Sequence, residues 1–177
     1  AASASNENWQ ACWEIHVMSH VYAARAVLPS MIERGDGYLL QMASAAGLLS
    51  QIGDAAYTAS KHAAVAFAES LAISHRDQGI KVSVICPQYV ATPMLGYSND
   101  GTPKANTGTI SVDTVADCVI EGIINERFLI LPHPEVQKFV EQRAIDRERW
   151  LGGMRRLRRD IIDKVGSVDL KALSRLF

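Results

Sequence analysis

The stretch from Tyr38 to Lys61, YLLQMASAAGLLSQIGDAAYTASK, joins a short apolar run to a helix-favouring segment. The run from Tyr38 to Met42 is almost wholly apolar and is followed by small residues, which predicts a strand buried on both faces. The Ala-rich segment from Ala55 to Ser74 predicts a helix, because alanine has a high helix propensity and Gly79 follows it. Ser44 therefore follows the predicted strand, and Tyr57 and Lys61 lie near the start of the predicted helix.

Strands and helices alternate along the rest of the chain. Apolar residues from Trp9 to Met31 recur at helical spacing, with Ser5 or Asn6 as a possible cap, and predict one long helix that ends near Gly35. The remaining pattern predicts a buried strand at 82–86, a lid or binding loop at 95–108, a helix at 112–124, a strand at 128–131, and a helical tail from 135 to about 164.

This order predicts an α/β fold with a doubly wound parallel sheet and helices on both faces. Such nucleotide-binding sheets have about six strands, and their first turn carries a Gly-rich phosphate loop. The sequence contains neither GxGxxG nor GxxxGxG. We therefore expect the chain to begin in the middle of such a fold, with an unpaired edge on its first strand. Residues 1–132 would be the C-terminal part of the domain, and 133–177 a helical tail packed on it or on a neighbouring subunit.

Composition narrows the class of protein. The 177 residues are 48% apolar and 21% charged with a net charge of −1, which is typical of a globular domain and gives no general attraction to nucleic acid or membranes. No apolar run approaches the roughly 18 residues that cross a bilayer. Cys12, Cys86 and Cys118 contain no CxxC pair, so we expect three buried thiols in a reducing, cytoplasmic compartment.

The chemistry concentrates in Ser44, Tyr57 and Lys61. Tyr57 and Lys61 are four residues apart and share one face of the predicted helix. Ser44 follows a strand, at the edge of a parallel sheet where ligands bind. A tyrosine needs a pKa nearer neutrality to act as a general acid and base, and a neighbouring ammonium lowers that pKa by roughly 1–3 units. Tyr57 would exchange a proton with a substrate oxygen, and Ser44 would hold that oxygen by a hydrogen bond.

A Ser that precedes Tyr-x-x-x-Lys in this way resembles the short-chain dehydrogenase/reductase family. Cys86-Pro-Gln-Tyr-Val-Ala-Thr-Pro-Met94 is similar to the family's segment around the nicotinamide carboxamide, and Trp9 and Val27-Leu-Pro-Ser-Met31 extend the likeness. The resemblance implies a partial Rossmann-type fold, NAD or NADP as cofactor, and an alcohol or ketone substrate. It also implies a homodimer or homotetramer packed through the two long helices.

The resemblance assigns roles residue by residue. Tyr57 would be the acid and base, Ser44 would orient the substrate, and Lys61 would lower the Tyr57 pKa and bind the nicotinamide ribose. The cofactor would also contact a segment after the second strand, made of Pro87, Gln88, Val90 and Thr92, with Val90 and Thr92 on the carboxamide.

Two positions depart from the family pattern. Gln88 replaces the usual Gly, which restricts how closely the backbone approaches the cofactor. His16 replaces an Asn that kinks the helix so that a carbonyl holds a water in a proton relay to Lys61. We expect His16 to keep the carbonyl but lose the kink, which would slow turnover.

Weaker signals have competing interpretations. His16 and His20 have the spacing of a metal pair but no evident third ligand, so packing is favoured and no metal is predicted. In the Arg-rich tail, Trp150, Met154, Leu157 and Ile161 form an apolar stripe that favours a subunit surface or the substrate loop over nucleic acid or anionic lipid. A group near the presumed pocket favours an apolar substrate: Leu48, Leu49, Met94 and Leu95.

Two functions remain open at this point. The first is an oxidoreductase that transfers hydride between NAD(P)(H) and an alcohol or ketone. The second is a non-catalytic fragment that keeps the core and the oligomer surfaces but has no cradle for the pyrophosphate.

Overall fold

A computed structural model describes residues 3–98, 102–104 and 107–173 of the chain. Within these residues, three strands form a parallel sheet in the order β1-β2-β3: β1 Gly37–Met42, β2 Ile80–Ile85 and β3 Leu129–Ile130. The predicted α/β class and parallel sheet are confirmed. The carboxyl ends of all three strands therefore lie at one edge of the sheet.

The two longer strands differ in burial. Central strand β2 is buried along almost its whole length, with Val84 and Ile85 fully enclosed. Strand β1 lies at the edge of the sheet, as predicted, but its side chains alternate, and Leu40 and Met42 are 37% and 50% exposed. The expectation that both faces of β1 are buried is wrong, because helices cover only one of them within the described residues.

The first predicted helix is divided in the structure. Helix α1 spans Asn6–Trp13, a π-helical turn spans Glu14–Met18, and α2 spans Ser19–Arg34. The Ser5 hydroxyl caps α1 by accepting a hydrogen bond from Asn8 N at 3.2 Å, and Gly35 ends α2 with φ 69°. Apolar spacing does not reveal the π turn, because one extra residue in a turn shifts the pattern only locally.

Helix α3 spans Ala55–His75, close to its predicted bounds, and packs on the sheet through Ala64, Ala68 and Leu71. A 3-10 turn, Ala45–Gly47, connects β1 towards it. The Asp54 carboxylate caps α3 by accepting from Tyr57 N at 2.9 Å.

The described part of the C-terminal region contains four helices: α4 Val112–Ile124, as predicted, α5 Glu135–Ile145, α6 Arg147–Val165 and α7 Leu170–Leu173. The predicted tail helix is broken at Asp146, whose backbone is extended. The Asp146 carboxylate accepts from Arg149 N at 2.9 Å and so caps a new helix. No residue of α6 is buried.

The remaining expectations have mixed outcomes. Cys86 is buried, but Cys12 and Cys118 are half-buried on helices, so the expectation of three buried thiols is wrong for two of them. The predicted loop at 95–108 lies partly outside the described residues, and its role as a lid stays a prediction. Among the helices that the structure describes, none is long and apolar enough to span a membrane.

Candidate active site

Ser44 lies just beyond the carboxyl end of β1, where its side chain joins two chain segments. Its Oγ accepts from Ala46 N at 3.1 Å and donates to the Pro87 carbonyl oxygen at 3.4 Å. The same carbonyl accepts from Ala45 N at 2.8 Å. The turn after β1 is therefore tied to the segment that follows β2, which fixes the position of the Ser44 hydroxyl.

Tyr57 and Lys61 lie in the first two turns of α3, as predicted. The Lys61 Nζ is 5.7 Å from the centre of the Tyr57 ring and donates to the Met42 carbonyl oxygen at 3.1 Å. Burial is the largest influence on both residues: it raises the pKa of Tyr57 and lowers the pKa of Lys61. A hydrogen bond with the Ser44 hydroxyl acts in the opposite direction on the Tyr57 pKa but does not outweigh burial.

The role of Lys61 in lowering the Tyr57 pKa stays a prediction, because burial raises that pKa in the structure. Lys61 directs its ammonium to the backbone of β1, and the cost of burying a phenolate dominates at Tyr57. Tyr57 therefore keeps its proton at neutral pH and can donate it.

One cavity of about 1260 Å³ unites most of the predicted site. Its wall contains five of the predicted residues: Ser44, Tyr57, Gln88, Val90 and Thr92. Lys61 and Pro87 lie outside the wall, with Lys61 only 7% exposed. Of the predicted apolar lining, Leu49, Met94 and Leu95 contribute, whereas Leu48 does not.

The segment after β2 contributes Gln88, Val90 and Thr92 to the cavity wall. An isolated parallel bridge pairs Val90 with Ile110: Ala91 N donates to the Ile110 carbonyl at 2.9 Å, and Ile110 N donates to the Tyr89 carbonyl at 3.1 Å. No hydrogen bond among the described residues uses the Val90 N–H or C=O. Val90 therefore offers an unpaired donor and acceptor at the cavity wall, a pair that complements an amide.

His133 also contacts this segment, and sequence reasoning missed it. The His133 side chain is 2% exposed, and its Nδ1 accepts from Gln88 N at 3.1 Å while Nε2 lies 3.2 Å from the Tyr89 carbonyl oxygen. The available signal was its position just after β3, at the sheet edge that carries Ser44.

His16 and His20 flank the tyrosine and lysine without forming a metal pair. The His16 Nδ1 lies 2.9 Å from Ser60 Oγ, and its ring meets the Tyr57 ring at 86° with 5.2 Å between centroids. The His20 Nε2 lies 3.3 Å from the Met42 carbonyl oxygen. The described residues contain no cluster that could hold a metal ion. A π turn spans Glu14–Met18, so the helix is irregular at His16 although His replaces the family's Asn. The expected effect of His16 on the kink and on turnover stays a prediction.

The tail helix α6 completes the cavity. Trp150, Met154, Leu157 and Ile161, the predicted apolar stripe, line the same cavity as Ser44 and Tyr57. Arg143 lies with its guanidinium carbon 5.3 Å from the centre of the Trp150 ring and donates to the Leu48 carbonyl. The stripe thus faces the candidate active site.

Comparison with known proteins identifies the family. The family model for short chain dehydrogenases matches residues 1–103. The chain belongs to the short chain dehydrogenase family. The matched residues include Ser44, Tyr57 and Lys61.

Relatives extend the match beyond the family model. A 1-deoxy-11-beta-hydroxypentalenate dehydrogenase from Streptomyces exfoliatus is 34% identical over 132 residues, 74% of this chain and 48% of that protein. The human epidermal retinol dehydrogenase 2 is 30% identical over 131 residues, 72% of this chain and 42% of that protein. The chain therefore spans about half the length, or less, of these curated relatives.

A solved structure shows the same fold. A short chain dehydrogenase/reductase from Burkholderia phymatum, in complex with NAD, is 28% identical with a TM-score of 0.71. The match covers 82% of this chain and 60% of that chain. The Rossmann-like fold is therefore established for this chain.

Proposed function

We propose that this chain carries the catalytic residues of an oxidoreductase that transfers hydride between NAD(P)(H) and an alcohol or ketone. One observation carries the proposal: the Ser44 and Tyr57 side chains line one cavity with the unpaired backbone amide of Val90. Membership of the short chain dehydrogenase family supports it.

Tyr57 exchanges the proton in this mechanism. In ketone reduction, the Tyr57 hydroxyl would donate its proton to the carbonyl oxygen of the substrate. The carbonyl carbon would gain the hydride, and the product would be the alcohol. Oxidation is the reverse, with the alcohol proton returning to the Tyr57 oxygen. Burial raises the pKa of Tyr57, so Tyr57 carries the proton that reduction requires. Ser44, fixed by Ala46 N and the Pro87 carbonyl, orients the same oxygen.

The residues beside this pair fit the nicotinamide end of the cofactor. The unpaired N–H and C=O of Val90, with the Thr92 hydroxyl, match the acceptor and donor of a carboxamide. Gln88 would contact the ring at the cavity wall. Lys61 and Pro87 lie outside that wall, so their predicted contacts with the ribose and the ring require both residues to become exposed to the cavity when the cofactor binds. When bound, the nicotinamide supplies or accepts the hydride.

The rest of the cavity favours a substrate with a large apolar body. The whole cavity, which would also hold the nicotinamide, has a volume of about 1260 Å³, against roughly 300–1,000 Å³ for typical small-molecule pockets. Side chains of α6, including Trp150 and Leu157, supply an apolar wall. Relatives named for hydroxypentalenate and for retinol support this substrate class.

We further propose a homodimer or homotetramer packed through the long helices. Ile15 at the π turn, Tyr22 on α2 and Ile73 on α3 are 65%, 54% and 84% exposed. Apolar side chains this exposed favour burial against a second copy.

Transfer of a deuterium label tests the function directly. Protein containing this chain would be incubated with NADH or NADPH deuterated at nicotinamide C4 and with a series of apolar ketones. We expect deuterium on the carbinol carbon of the product with one of the two cofactors. Unlabelled ketone recovered with both cofactors across the series would instead support the non-catalytic alternative.

A further inference from the structure

His133 links the start of the tail to the segment expected to hold the nicotinamide. It lies between β3 and α5, is 2% exposed, and contacts backbone atoms of two consecutive residues of that segment. Gln88 N donates to its Nδ1 at 3.1 Å, and the Tyr89 carbonyl oxygen lies 3.2 Å from its Nε2. Both ring nitrogens are therefore engaged with backbone just before Val90.

These contacts fix which nitrogen carries the proton. A peptide N–H can only donate, so Nδ1 must be the unprotonated acceptor. The proton of the neutral ring is then on Nε2, which donates to the Tyr89 carbonyl oxygen. That oxygen also accepts from Ile110 N at 3.1 Å, so both of its lone pairs are used.

A second proton would disrupt this arrangement. It would bind Nδ1 and oppose the Gln88 N–H, so that two donors would face each other in a buried place. Burial is the largest influence on the His133 pKa and lowers it from its ordinary value. The Glu135 carboxylate and the Tyr89 and Gly108 carbonyls act in the opposite direction without outweighing it. The Tyr89 phenol, also titratable, has a raised pKa and stays neutral.

We propose that neutral His133 is a positioning residue that fixes the Gln88–Tyr89 backbone, and with it the Val90 amide, and that protonation of His133 releases this segment. The catalytic consequence rests on the proposed function, because Val90 would hold the carboxamide. The hydrogen-bonding claim itself does not depend on turnover.

Nuclear magnetic resonance of this chain tests the claim in two steps. A long-range 1H–15N spectrum should show neutral His133 protonated at Nε2, and the Gln88 amide shift should follow the His133 titration, which lies below about pH 6.5 because burial lowers the His133 pKa. In His133→Asn, the side-chain oxygen can still accept from Gln88 N but does not titrate, so the Gln88 shift should stay constant. His75→Phe is the control. It alters a histidine at the C-terminal end of α3, which is hydrogen-bonded to Gln78, and it should change neither result.

Kinetics then separate this proposal from the proposed function. As pH falls below about 6.5, the KM for NAD(P)H should rise several-fold in the unaltered protein and much less in His133→Asn. Neutral His133 protonated at Nδ1, or a Gln88 amide that ignores the His133 titration, would overturn the positioning role. A fixed Nε2–H form in a protein that reduces no ketone would support the hydrogen bond and contradict the proposed function alone.

Discussion

The turn that carries Ser44 and the tail helix α6 line the same cavity but are built differently. Around Ser44 the chain is buried, and backbone and side-chain hydrogen bonds tie it to the segment after β2. Helix α6 has no buried residue and presents its apolar stripe to the cavity. The difference indicates that the turn fixes the reacting groups, whereas α6 shapes the space for the substrate body.

Matched glycine substitutions should give opposite results in the two regions. A Cβ at Gly47 would lie 2.6 Å from the Lys61 carbonyl oxygen and 2.9 Å from Val65 Cγ2, so Gly47→Ala must push α3 away from the turn. We expect the free energy of unfolding to fall by about 2 kcal/mol, measured by urea denaturation.

Gly153→Ala on α6 is the control for that substitution. A Cβ at Gly153 meets no other atom within 4 Å. Because alanine favours a helix more than glycine does, stability should rise by about 0.5–1 kcal/mol. A loss of stability in Gly153→Ala, or none in Gly47→Ala, would contradict the contrast between the two regions.

A smaller effect should separate two leucines of α6. Leu157 lines the cavity, whereas Leu151 does not, and the two are 47% and 40% exposed. Leu157→Gln should raise the KM for a large apolar ketone about fivefold through loss of apolar contact. Leu151→Gln should leave that KM unchanged, and equal effects from both variants would remove α6 from the substrate site.

The sequence predicted the regions in which one local signal decides the structure. The bounds of α4 and the burial of β2 follow from apolar spacing and flanking turn residues. The candidate site could be predicted because Ser44 and Tyr57 are close in sequence, and one strand-to-helix connection is enough to bring them together.

The features that the sequence analysis did not predict depend on backbone geometry or on contacts between distant residues. The π turn at His16 changes the helix by one residue, which apolar spacing does not register. Asp146 lies among many charged residues of the tail, so its residue type alone does not mark a helix end. Its role as a cap becomes visible only from its extended backbone and its hydrogen bond from Arg149 N. His133 contacts Gln88 across a long sequence separation, and only the parallel pairing of β2 and β3 brings them together.

Tyr57→Phe, compared with Tyr89→Phe, tests the central claim most directly. Both tyrosines line the cavity, but only Tyr57 interacts with Ser44 in the arrangement proposed for proton transfer. With NAD(P)H and an apolar ketone, Tyr57→Phe should lower kcat by about a hundredfold or more and leave cofactor affinity largely intact. Tyr89→Phe should retain most of the turnover. Full turnover in Tyr57→Phe would contradict Tyr57 as the acid and base.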